Sequence, residues 1–370
     1  MDAFLKTQII TYMGNKRKLL PHIEDIIVKI EKKLEKKLKI GDGFSGSGIV
    51  SRLFKLYAQE LYVNDISHYS HTLNTCYLSN RPYELNEELK KYVDLANRYV
   101  EQDNKEVPNF IQKHWSPNNT NITENDRVYF THQNGKRIDS YRYFIETHVP
   151  DHIKPFLLAY LLVECSIHNN TNGQFSAFYK NGDVGQYGGK KNIDLTRITQ
   201  PIKLSNPVSY NSTCNTHISC QDTNEWIKKI PELDLVYYDP PYNKHPYNIY
   251  YFLLEIIDKW NIHQEIPDTY RGQPLGWERS MYNSSKYAEK AFDSLIKETK
   301  AKFILISYNN GGIIPISKID DILSNYGNVE KIPIEHKTYN RLKGISEYKR
   351  SSEKEKIQEY MWLVDTTSKI

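Results

Sequence analysis

Lys39-Ile40-Gly41-Asp42-Gly43-Phe44-Ser45-Gly46-Ser47-Gly48-Ile49 begins as a short strand, turns through glycine and serine, and runs into a helical pattern carried by Ile49, Leu53, Phe54 and Leu56. Strand, glycine turn and helix in that order form a unit that aims backbone amides at a ligand. Leu61 to Asp65 then reads as a second strand ending in an acid, and Tyr69 to Leu78 as its helix, which makes the class α/β. Upstream, Leu19, Leu20, Ile23, Ile26, Ile27, Ile30, Leu34 and Leu38 recur at spacings of three and four. That spacing predicts one amphipathic helix from Lys16 to Leu38, with Pro21 tolerated near its start.

Downstream the rhythm changes. Helical patterns over 84–101 and 151–167 alternate with polar stretches, and 116–125 and 169–189 contain almost no aliphatic residues, which marks them as functional or mobile loops. The βα pattern returns with the strand Leu233 to Tyr238, a helix from Ile249 to Trp260 and a buried strand Phe303 to Ile306. Val329 to Ile334 and Tyr360 to Val364 pair as a C-terminal β-hairpin. The expected architecture is a Rossmann-like sheet interrupted by a long insertion.

Composition bounds the function. The 370 residues are 39% hydrophobic and 25% charged, and no apolar run approaches the length of a membrane helix. The first twenty residues carry Asp2, Lys6, Lys16, Arg17 and Lys18 and lack a signal-peptide core, so a cytoplasmic protein is expected. Four cysteines are too few for a disulfide framework; Cys214, His217 and Cys220 lack a fourth ligand, and no metal is expected. The 29 tyrosines fit either an AT-rich genome or a set of base-stacking platforms.

Two features carry chemistry. Asp42, Phe44, Gly46 and Gly48 shape a turn that departs from the dinucleotide GxGxxG spacing and lacks the GKS/T of a triphosphate site. Asp65 follows at the end of the next strand, where a carboxylate accepts hydrogen bonds from ribose hydroxyls, as in dinucleotide and S-adenosylmethionine sites. The second feature is Asp239-Pro240-Pro241-Tyr242 after the apolar strand. Two prolines without N–H groups form a rigid lip. The Asp239 carboxylate and Pro240 carbonyl can accept the two hydrogens of an exocyclic amine, which frees its lone pair for in-line attack on a methyl group, while Tyr242 stacks on the base.

On these residues the chain resembles the D12 class (Dam-like, α-order) of DNA adenine N6-methyltransferases. Tyr12-Met13-Gly14-Asn15-Lys16-Arg17-Lys18-Leu19, Asn64-Asp65, Asp222, Ser307-Tyr308-Asn309 and Glu359-Tyr360-Met361-Trp362 also look like that family. The resemblance implies an S-adenosylmethionine-dependent methyltransferase. Tyr12, Lys16, Asp65 and Asp239 would line the cofactor and target site, and Asp222 would meet the cofactor's adenine amine, with Glu225 as the competing acid. Residues 1–84 would hold the cofactor motifs, 85–215 a mainly helical and looped target-recognition insertion, and 216–370 the tetrad and hairpin. The implied partner is duplex DNA carrying a specific short sequence, entered by base flipping, with any cognate restriction endonuclease in another chain.

Basic and aromatic residues interleave in three places. The stretch His336 to Lys356 carries a net +4, equal to the formal charge of the whole chain, and places Lys337, Arg341, Lys343, Lys349 and Arg350 among tyrosines. It fits phosphate contact or a solvated hairpin. Arg137 and Arg142 in one cluster, and Tyr179 and Lys180 in another that runs on to Lys190 and Lys191, are further candidates for DNA contact. Rival readings keep the fold and change the acceptor to cytosine N4 or an RNA adenine, or make the chain an inactive nucleic-acid-binding subunit.

Overall fold

The structure is a computed structural model that describes residues 2–276, 280–334 and 358–368. In chain order the elements that frame the site are α1 (Leu20–Leu34), β1 (Leu38–Asp42), α2 (Ile49–Tyr57), β2 (Ala58–Asp65), α3 (His68–Leu78), α4 (Tyr83–Tyr99), α5 (His132–His148), α6 (Lys154–Ile167), β3 (Asn215–Cys220), α7 (Thr223–Trp226), β4 (Leu233–Tyr238), α8 (Asn248–Lys259), α9 (Ala288–Glu298), β5 (Ala301–Asn309), α10 (Ile316–Ser324), β6 (Asn328–Ile334) and β7 (Glu359–Asp365). Among the described residues no helix is long and apolar enough to cross a membrane.

Two compact units share these elements. The first comprises Met1–Lys37, Ser45–Gln221 and Tyr247–Glu278. In it β2 pairs in parallel with β3, from Glu60 opposite Asn215 to Asp65 opposite Cys220. Its core gathers Leu73, Leu89, Trp115, Tyr129, Phe130, Ile138, Leu157, Phe175 and Phe252. The second unit comprises Leu38–Phe44, Asp222–Pro246 and Arg279–Ile370. Its strands run in the order β1-β4-β5-β7-β6, parallel from β1 to β5 and antiparallel thereafter. The α/β class with mostly parallel strands and a C-terminal hairpin is the one expected, and Val329 does face Val364 in that hairpin.

The helix predicted over 16–38 stops sooner. Glu35 adopts a left-handed φ of 49° and ends α1, and Leu38 is instead the first, fully buried residue of β1. The apolar spacing continues across the break because a buried strand and a buried helix face both require large aliphatic residues.

The polar stretch 169–189 is also different in kind from a bare loop. Asn169, Asn170 and Thr171 are fully buried. The Asn170 amide donates to Val128 O at 2.8 Å and accepts from Gly188 N at 2.9 Å, while Asn169 donates to Cys165 O and Ser166 O. Side-chain amides thus replace aliphatic packing by satisfying backbone groups that the stretch buries. Asn170→Ala is expected to destabilise the protein by about 3 kcal/mol, because several buried backbone groups lose their partner at once; urea denaturation followed by tryptophan fluorescence reads this out.

Many tyrosines serve the interior. Tyr69, Tyr129, Tyr141, Tyr237, Tyr238 and Tyr251 are among the largest fully buried side chains. Several hold hydroxyl partners, as with Tyr238 and Thr299 Oγ1 at 2.8 Å and Tyr141 donating to Asn97 Oδ1 at 2.7 Å. A phenol fills volume and spends its polar tip on a buried acceptor.

Candidate active site

In the first unit the turn after β1 is held by α3. Gly48 has φ +74°, and a Cβ there would lie 2.3 Å from Asn74 Oδ1. Asn74 donates to Ser45 Oγ at 3.0 Å, and Ser70 Oγ donates to Gly46 O at 2.6 Å. Asp65 closes the arrangement, its Oδ2 accepting from Gly46 N at 2.8 Å and its Oδ1 from Ser67 N at 2.9 Å. Burial pushes the Asp65 carboxyl above its ordinary value against these two amides, which pull it down.

The Tyr12 ring lies on the same turn, 2.7 Å from where a Gly46 Cβ would stand. It stacks on Tyr247 and Tyr251, with centroids 5.4 and 5.0 Å away. The Tyr251 hydroxyl accepts from Met13 N at 2.7 Å. Burial raises the Tyr12 phenol well above its usual range, and the neighbouring Tyr69 and Asp65 add to this. Lys16 is buried a turn later. One step further along α8, Glu255 accepts from His68 N at 3.1 Å at the start of α3. Tyr247 just before α8 and Tyr251 and Glu255 within it recur at spacings of four; that spacing is visible in the sequence, but its relation to Tyr12 is not.

The turn differs from a phosphate cradle. Gly43 N donates to Tyr237 O, Ser45 N to Asn64 O, Gly46 N to Asp65 and Gly48 N to Ser45 O. Four of the turn's amides are thus committed to the protein's own acceptors.

In the second unit Asp42 is buried at the end of β1, and Phe44 meets Tyr282 and Tyr238 edge-on at centroid distances of 5.3 and 6.2 Å. Asp222 caps α7, accepting from Asn224 N at 2.9 Å and Glu225 N at 3.3 Å through Oδ1. Glu225 is exposed and paired with Lys228 at 2.7 Å, so the competing acid turns to solvent. Tyr282 donates to Asn224 Oδ1, and its phenol is raised by burial, then by Tyr238 and Asp222. Aromatic faces beside a half-buried carboxylate can receive a purine and its amine. Tyr282 lies 60 residues from Asp222 with no local motif to mark it.

The tetrad follows β4. Asp239 Oδ1 accepts from the Tyr242 hydroxyl and, at 3.1 Å, from Ser307 Oγ. Ser307 Oγ is in turn 2.7 Å from the Tyr237 hydroxyl. Pro240 is buried, and Tyr242 O accepts from Ile313 N at 3.1 Å. The Tyr242 ring meets Tyr308 edge-on at 4.7 Å. Two hydroxyls thus fix the carboxylate beside a proline lip that has no donors of its own. Ser307→Ala is expected to lower kcat about tenfold with KM for DNA nearly unchanged, since it loosens the aim of Asp239 and leaves binding groups intact; steady-state methylation assays measure both.

Two of the expected DNA contacts are corrected. Arg137 and Arg142 are only 6% and 2% exposed. Arg137 donates to Ile202 O and Glu101, and Arg142 to Glu146, with its guanidinium 5.3 Å over Trp260. Both sit on the inward face of α5, where their stems pack; Arg137 meets the buried Ile202 carbonyl, while the carboxylates the two guanidiniums reach, Glu101 and Glu146, lie at the surface. Tyr179 and Lys180 stay half-buried, with Lys180 Nζ 3.7 Å from the ring centre of Tyr270, a residue the sequence did not single out. Lys337, Arg341, Lys343, Lys349 and Arg350 lie outside the described residues. Among the described residues no group of three or more His, Cys, Asp or Glu could hold a metal ion; His217 instead stacks on Tyr62 at 4.5 Å.

Comparison with known proteins gives this chemistry its family. Residues 12–306 match the model of the D12 class N6 adenine-specific DNA methyltransferases. The chain is 28% identical over 362 residues to the Type II methyltransferase M.NlaIII of Neisseria lactamica, covering 96% of this chain and 99% of that protein. It is 28% identical to the Type II methyltransferase M.FokI of Planomicrobium okeanokoites, covering 95% of this chain and 52% of the relative, so it spans about half that protein's length. It is also 25% identical to the Type II methyltransferase M.CviAII of Paramecium bursaria Chlorella virus 1, covering 89% and 92%. The chain belongs to the D12 class of N6 adenine-specific DNA methyltransferases, and its reaction is methylation of adenine N6 in DNA.

Proposed function

We propose that the protein transfers the methyl group of S-adenosylmethionine to adenine N6 within a specific short sequence of duplex DNA, as the modification partner of a restriction endonuclease carried on another chain in the cytoplasm. The observation that carries this reading is the Asp239 carboxylate, oriented by Ser307 and Tyr242 at the end of β4. An adenine amine is a poor nucleophile while its lone pair is delocalised into the ring. Acceptance of its two hydrogens by Asp239 and the Pro240 carbonyl opposes that delocalisation where the attack occurs. The adenine has to leave the duplex to reach the lip, and Tyr242 is its stacking partner.

Asp65 would bind the ribose hydroxyls of the cofactor, Phe44 would pack on its adenine and Asp222 would accept from its amine. Tyr12, Lys16, Asp42, Gly46 and Gly48 would shape the rest of that site. The fit rests on the Asp65 carboxylate, held at the turn by Gly46 N and Ser67 N, as an acceptor for ribose hydroxyls. Residues 85–215 would supply target recognition, with Tyr179 and Lys180, beside Tyr270, as its DNA-facing candidates, and exposed Lys190 and Lys191 near them in sequence.

Single-molecule sequencing of DNA from cells expressing the chain tests the reading, because it reports the modified base and its sequence context together. N6-methyladenine at one recurring motif is the expected result. N4-methylcytosine, or unmodified DNA beside methylated RNA, would overturn it.

A further inference from the structure

A second carboxylate stands beside the tetrad. Glu359, the first residue of β7, faces Asn309 of β5 in the antiparallel register, and its Oε1 lies 3.4 Å from the Tyr242 hydroxyl. The backbone before it is pinned, with Gln358 N donating to Asn310 Oδ1 at 3.0 Å and Asn310 N to Gln358 O at 3.2 Å. The Tyr242 hydroxyl donates to Asp239, so one phenol oxygen stands between two carboxylates supplied by different strands. Among the described residues, Tyr237 on β4 and Ser307 and Tyr308 on β5 also lie close to it.

Methylation of a neutral amine leaves the nitrogen with a positive charge and one proton too many. We propose that Glu359 takes that proton from Asp239 by way of the Tyr242 hydroxyl, a role that presupposes the amine methylation proposed above.

The steps balance. The N6 lone pair forms the new bond to the methyl carbon as the sulfur–methyl bond breaks and its electron pair stays on sulfur. An N–H bond then breaks, its electrons return to nitrogen, and the proton passes to Asp239. Protonated Asp239 gives this proton to the Tyr242 oxygen while the phenol's own proton moves to Glu359, so the phenol is neutral before and after. Glu359, half-buried at the strand end, returns the proton to water and Asp239 is again an anion for the next turnover. Burial, Asp239 and Glu359 together hold the Tyr242 phenol well above its usual range, as suits a group that passes a proton without staying ionised.

The test compares Glu359→Gln, Glu359→Asp, Tyr242→Phe and the Glu359→Gln/Tyr242→Phe pair in the full chain. Glu359→Gln should lower multiple-turnover kcat tenfold or more, with S-adenosylmethionine affinity and KM for DNA within twofold. Glu359→Asp should restore much of that loss. The paired variant should lose little more than Tyr242→Phe alone, because both changes cut one path. Unchanged kcat in Glu359→Gln, or losses that simply multiply in the paired variant, would overturn the proposal. Failure of the underlying reading looks different: the unsubstituted protein would then make no N6-methyladenine at all.

Discussion

Asp239→Ala is expected to reduce single-turnover methyl transfer about a hundred- to a thousandfold, the scale for loss of one group that stabilises charge in a transition state. The physical reason is specific to the acceptor. Under the proposed reading the amine keeps its lone pair in the ring once the carboxylate is gone, and the Ser307 and Tyr242 hydroxyls lose the oxygen they both address. Affinity for DNA should change little, because duplex affinity comes mainly from phosphate contacts elsewhere. Asp239→Asn should lose less than alanine, since it keeps one acceptor oxygen but gives up the charge. Rapid-quench measurement of labelled methyl transfer with saturating DNA and cofactor separates the chemical step from binding, and near-normal turnover of the alanine variant would contradict the mechanism.

The second large effect is expected at Asp65. Its carboxylate holds Gly46 N and Ser67 N, and under the proposed reading also takes the cofactor's ribose hydroxyls. Asp65→Ala removes charge-assisted hydrogen bonds on both sides, and S-adenosylmethionine affinity should fall roughly a hundredfold, about 3 kcal/mol. A lower melting temperature should accompany it, because the Gly46 turn loses its anchor. Isothermal calorimetry measures the first and a thermal shift the second. Affinity within threefold of the unsubstituted protein would remove Asp65 from the cofactor site while leaving its role in the turn intact.

Much of this is legible in the sequence. The strand Leu233 to Tyr238 has the bounds read from its apolar run, and β2, α3 and the terminal hairpin lie within a few residues of their sequence assignments. Ser307 lies within a stretch marked by family likeness, but nothing local in the sequence shows its hold on Asp239. Arg137 and Arg142 read as candidates for DNA contact because interleaved charge and tyrosine looks the same in sequence whether the residues are wet or dry. Charge is a property of the residue, whereas burial depends on what packs against α5. Part of the tyrosine excess likewise resolves into core volume, with hydroxyls such as those of Tyr141 and Tyr238 held by buried partners.

By itself, the sequence determined the order of βα elements, the glycine turn, the acids at the ends of β1 and β2 and the tetrad after β4. These depend on periodicity and on proline and glycine backbone preferences, all of which act within a few residues. Only the tertiary structure decided which hydroxyls aim Asp239, that Tyr247 and Tyr251 carry Tyr12, and that Glu359 stands beside Tyr242. Tyr242 and Glu359 are 117 positions apart, and Tyr12 and Tyr251 are 239, so no local preference couples them. Their contacts exist because strands and helices distant in the chain pack side by side, and packing is the step at which a list of residue types becomes a set of directed partners.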